Sequence, residues 1–158
     1  LEGLPGIRPI RVDESTGSNM AGWYCPHGLY LPEELGGLSV KRFCEAVRAE
    51  ANGAFASWEG ANFCLHTHNL FKKFDFRNAG KASTVEYMDA AEYYGGETCD
   101  KSIEDNCISA PWFKKYNKEL IELIAACFKK VADNHMQLVE AFKDDETVVN
   151  GRWFGTKD

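Results

Sequence analysis

The residues with the most chemistry per unit length are Phe63-Cys64-Leu65-His66-Thr67-His68-Asn69-Leu70-Phe71, which hold two of the four histidines in the chain. On an extended backbone, side chains alternate between faces. Cys64, His66 and His68 would then share one face, with Phe63, Leu65 and Thr67 on the other. Three chemistries follow from that pattern. Cys64 with His66 is a nucleophile–base pair in outline, although neighbouring positions on one strand seldom reach the same carbonyl. Cys64, His66 and His68 are three zinc ligands, for which Cys99 or Cys107 could supply a fourth. Finally, the imidazoles can donate to a phosphate or accept from a sugar hydroxyl, with a balance that shifts near neutral pH. The competing reading is that histidines beside apolar residues simply tie down packing and loops.

Elements on either side must position this stretch. Residues 1–20 contain Pro5, Pro9 and scattered glycines and read as an extended linker. The aromatic-rich run from Ala21 to Leu31 reads as a strand, which Pro26 makes an edge strand or interrupts, leaving His27 as a turn residue. Ser39 stands at an N-cap position before Val40, Phe43, Cys44, Val47 and Ala51, an apolar stripe at helical spacing. A helix over 40–51 follows, with Gly53 just past its end, and then a short strand over 54–58. Beyond the histidines, 71–77 alternates phenylalanines with charges, and 83–94 has a weak helical pattern ended by Gly95-Gly96. The residues 78–97 form a long connection of undetermined role. Cys107 to Ala110 reads as a strand stopped by Pro111. Asn117 caps the longest helix, whose stripe is Leu120, Ile121, Ile124, Cys127, Phe128 and Val131. Met136 to Phe142 can continue it past a weak point at Asp133-Asn134. Residues 144–158 form a polar tail carrying Trp153-Phe154. The order implies one α+β domain over 1–158, a small antiparallel sheet packed against helices.

Composition narrows the function classes. With 158 residues the chain supports one core. A formal net charge of −6 argues against nucleic-acid or anionic-membrane partners. Lys114, Lys115, Lys129 and Lys130 read as solvated faces. No apolar run is long enough for a membrane helix and no signal peptide opens the chain. The six cysteines lack a CxxC pair, so reduced thiols in a cytoplasmic protein are expected, with Cys44 and Cys127 as packing residues. No phosphate-cradling glycine loop or GxSxG elbow is present. Because the chain opens on Leu1, it is expected to be a fragment of a longer polypeptide.

Taken in order, Gly3-Leu4-Pro5-Gly6-Ile7, the Trp23-Tyr24 strand, Gly37-Leu38-Ser39-Val40-Lys41-Arg42-Phe43, Leu65-His66-Thr67-His68 and Ser109-Ala110-Pro111-Trp112-Phe113 resemble the C-terminal small domain of DegT/StrS-type aminotransferases. The resemblance covers roughly residues 1–135. It implies the C-terminal domain of a fold-type I, pyridoxal-phosphate enzyme that transfers an amino group to a keto sugar in nucleotide-sugar or antibiotic-sugar biosynthesis. It places His66 and His68 near bound substrate. It also implies that the cofactor lysine, the carboxylate partner of the cofactor ring and the phosphate-binding hydroxyls lie in a large domain upstream. None of the twelve lysines here has the matching context, and Lys81 is the nearest to a free candidate. The fragment alone is therefore expected to hold no cofactor and to be inactive. Its expected partners are the large pyridoxal-phosphate-binding domain of the same polypeptide, a second copy in a homodimer, and the keto-sugar substrate. Cut from that domain, the piece should self-associate through 71–76 or Trp153-Phe154. The alternative is a freestanding, non-catalytic binding or regulatory module of the same fold.

Overall fold

The computed structural model describes residues 1–19, 26–60, 106–112 and 114–143. Four short strands form an antiparallel sheet: β1 (Ile7–Pro9), β2 (His27–Tyr30), β3 (Trp58–Glu59) and β4 (Cys107–Ser109), in spatial order β1-β2-β4-β3. Helix α1 (Val40–Ala51) lies between β2 and β3 in sequence. Helices α2 (Lys118–Asp133) and α3 (His135–Ala141) follow β4. The α+β architecture with a small antiparallel sheet agrees with the sequence reading.

Register explains which residues enter the core. Ile7 pairs with Tyr30, Gly28 pairs with Ile108, and these positions alternate onto one face. Ile7, Tyr30 and Ile108 are buried there, against Phe43, Cys44 and Val47 of α1 and Ile124, Phe128 and Val131 of α2. Both helices therefore cover one face of the sheet. The apolar stripes expected on α1 and α2 are the buried ones, except that Leu120 and Ile121 are only half-buried. Cys44 and Cys127 are buried free thiols, as expected. Burial pushes the Cys44 thiol up to about 12, which outweighs the contact with the Ser57 hydroxyl. It is an inert packing residue.

Helix ends follow their capping chemistry. The Ser39 hydroxyl accepts from the Arg42 N–H at 3.3 Å, and the Asn117 side chain accepts from the Leu120 N–H at 3.1 Å. Asn52, not Gly53, takes the left-handed position that ends α1, at φ 45°, and Gly53 continues the turn at φ 84°. Asparagine tolerates this region because its short amide can hydrogen-bond locally. The second helical stretch breaks at Asn134, where a weak point was expected. The Asn134 side-chain amide donates to the Lys130 carbonyl at 2.7 Å and closes the end of α2.

Three expectations are corrected. Residues 1–20 are not only a linker, since Ile7–Pro9 is a sheet strand. Pro9 is accommodated because β1 is an edge strand, where a missing N–H costs no ladder bond. His27 is not a turn residue but the first residue of β2, an interior strand that starts just after Pro26. The strand expected over 54–58 sits later, at Trp58–Glu59, because Gly53 and the residues after it are used to reverse the chain. Trp23, Tyr24, the 71–77 and 83–94 patterns and the 144–158 tail lie outside the described residues.

The N-terminal strand is held by one carboxylate. Glu34 accepts from the Gly6 N–H at 2.8 Å and from the Arg8 guanidinium, while the Gly6 carbonyl accepts from the Leu31 N–H at 2.9 Å. The Gly6 N–H, and then Arg8, hold the Glu34 carboxyl below its ordinary value of 4.5. A depressed folded-state pKa means the contribution is present above the unfolded value and is lost as pH falls through the folded one. Glu34→Gln should therefore melt below the parent near neutral pH. The two melting midpoints should converge as pH drops below about 4.5. A difference that is constant from neutral to acid pH would show that the charge on Glu34 contributes nothing.

Candidate functional site

With both helices on one face, the opposite face of the sheet is where side chains can meet something else. Register sets its rows. Arg8 pairs with Leu29 and Leu29 with Cys107 in one row, and His27 with Ser109 and Ser109 with Trp58 in the next. Leu29 is 52% exposed and Trp58 39%. Cys107 is half-buried. The imidazole Nε2 of His27 is buried and has no hydrogen-bond partner among the described residues. His27 also lines a small cavity of about 110 Å³, walled mainly by apolar groups including Leu1, Ile7, Ile108 and Phe128.

The edge beside β3 is built around two serines. Ser109 Oγ accepts from the Trp58 N–H at 3.2 Å and donates to the Trp58 carbonyl at 3.1 Å. Ser57 Oγ donates to the Ser109 carbonyl at 2.7 Å. Both hydroxyls are buried and spent on joining β3 to β4, so neither is available as a nucleophile. Arg48 reaches across from α1. Its guanidinium lies 4.7 Å from the Trp58 ring centre, donates to the Ser57 carbonyl at 2.6 Å and approaches the Glu59 carboxylate at 3.4 Å. This network holds the Trp58 ring in place.

Trp58 is one wall of a cleft of about 260 Å³ shared with Phe55, Pro111, Trp112 and Leu120. Trp112 is 64% exposed. No charged side chain is among its described lining residues. Such walls can stack on a ring or cover an apolar segment, but they offer no group to move a proton. A broader surface groove carries Arg8, Arg11, Glu2 and Glu34. There each arginine is paired with a carboxylate, Arg8 with Glu34 and Arg11 with Glu2, so among the described residues the groove has no uncompensated cation to draw an anion.

The stretch with His66 and His68, and with them Cys64, Lys81 and Cys99, lies outside the described residues. Its anchor points do not. The Gly60 N–H donates to the Cys107 carbonyl at 2.7 Å, and the Asn106 carbonyl accepts from the Tyr30 N–H at 2.8 Å. Gly60 and Asn106, the described residues on either side of that stretch, thus lie next to each other across β3 and β4. Among the described residues no cluster of three or more histidine, cysteine or acidic side chains could hold a metal ion. Of the zinc ligands considered from the sequence, only Cys107 is described. The lysine pairs behave as solvated faces. Lys129 bonds Asp133 at 2.7 Å, Lys130 bonds Glu50 at 2.7 Å, and Lys114 and Lys115 are exposed. No described helix is long and apolar enough to cross a membrane.

Sequence reasoning missed the roles of Ser57, Ser109 and Arg48. A single serine in a connection or a three-residue strand, and one arginine on a helix, have no periodic signature, and their partners lie 51 or 52 residues away or on another element. No family model, curated protein or solved structure matches the chain.

Proposed function

We propose that the chain is the C-terminal small domain of a cytoplasmic, pyridoxal-phosphate-dependent aminotransferase resembling the DegT/StrS type, which transfers an amino group to a keto sugar. The observation that carries this reading is where the resembling stretches fall in the fold. Gly3 to Ile7 leads into β1, Gly37 to Phe43 makes the cap and first turn of α1, and Ser109 to Trp112, the described part of the last stretch, ends β4. They are joints of the domain, and their order along the chain is what the resemblance rests on.

Bound pyridoxal phosphate would supply an electron sink for the amino-transfer chemistry. The described residues do not fit a cofactor site. A Schiff-base lysine needs desolvation or a neighbouring cation to lower its pKa. Lys114, Lys115, Lys118, Lys129, Lys130 and Lys143 are exposed, and Lys41 is half-buried on the outer side of α1. The cofactor accordingly belongs to a large domain of the same polypeptide, and this domain binds substrate and completes a homodimer.

The test uses the polypeptide as its own cell makes it. After purification, borohydride reduction and peptide mapping, the trapped pyridoxyl-lysine should fall outside residues 1–158. A label on a lysine within 1–158, or a native polypeptide that takes up no pyridoxal phosphate, would overturn the reading, and the second result would favour a non-catalytic binding module.

Within the same proposal, His66 and His68 contact substrate by hydrogen bonding. In the cofactor-bound enzyme, His66→Ala or His68→Ala should lower kcat/KM by about tenfold or more, near 1.4 kcal/mol, with the melting midpoint little changed. Full turnover in both variants, or turnover lost only in step with stability, would make the histidines structural. Stoichiometric metal lost in either variant would point to zinc.

A further inference from the structure

We draw no further inference here: the strongest candidate, the face of the sheet opposite α1 and α2, where Leu29 and Trp58 are exposed beside the buried Nε2 of His27, which has no partner among the described residues, carries none because nothing in the structure shows what covers it.

Discussion

Phe128→Ala should destabilise the domain by about 3–5 kcal/mol, the range for truncating a buried phenylalanine. Phe128 is 0% exposed at the centre of α2. Its ring centre lies 6.0 Å from that of Phe43, which in turn is 5.4 Å from Tyr30, both at tilted angles. The three rings run from α2 through α1 to β2 and join both helices to the sheet. Truncating Phe128, the α2 end of that contact, removes apolar area and opens a void. Phe128 also borders the cavity of about 110 Å³ near His27, so the new space would add to an existing one. Neighbours held by the sheet cannot close a larger void cheaply. Urea unfolding measures the loss, with Leu123→Ala as control. Leu123 is on the exposed side of the same helix, and its truncation should cost about 0.5 kcal/mol or less. Equal effects of the two substitutions would mean that α2 presents a different face to the sheet.

Gly6→Ala should cost about 2–5 kcal/mol, a large effect for one added methyl group. Two causes add. Gly6 has φ 70°, a left-handed conformation that costs a residue with a Cβ about 1–2 kcal/mol. A Cβ placed there would also fall 2.3 Å from Leu35 Cδ1 and 2.6 Å from its Cγ. Leu35 is fully buried, so its side chain has little room to yield, and overpacking of this kind costs about 1–3 kcal/mol. The turn cannot relax freely either, since the Gly6 N–H is held by Glu34 and its carbonyl by the Leu31 N–H. Gly3→Ala separates the two causes. Gly3 has φ 81° but nothing among the described residues within 4 Å of the added carbon, so it should show the conformational cost alone. The double variant Gly6→Ala, Leu35→Ala should cost less than the sum of its parts, because the second change removes the collision. Strict additivity, or a Gly6→Ala cost no larger than that of Gly3→Ala, would refute the contact with Leu35.

Much of this domain is local and was legible. Helices α1 and α2 were readable because their signals are periodic and repeated over several turns, from Val40 to Ala51 and from Leu120 to Val131, with Ser39 and Asn117 marking the starts. The break at Asn134 was readable for the same reason. Strand β4 was readable from Cys107 to Ala110 because Pro111 stops it. Strand β1 was not, since three residues carry no periodicity and two prolines nearby read as a connector. Strand β3, at two residues, was misplaced because the turn after Asn52 takes more chain than its composition shows. These short strands exist because partners far along the chain complete their hydrogen bonds.

The site divides in the same way. The amino-acid types by themselves determined which chemistry His66 and His68 could perform, that Cys44 and Cys127 would be packing thiols, and that the lysine pairs would face solvent. Each of these depends on side-chain chemistry or on position along one helix. Only the tertiary structure decided that His27 belongs to an interior strand beside Ser109, that Ser57 and Ser109 are consumed in joining two strands, and that Arg48 fixes Trp58. The Ser57–Ser109 bond spans 52 residues, and Trp58 N–H to Ser109 Oγ spans 51. A hydrogen bond is worth something only when both groups leave water together. Which groups do so is set by the register of β3 on β4, and that register is a property of the folded sheet.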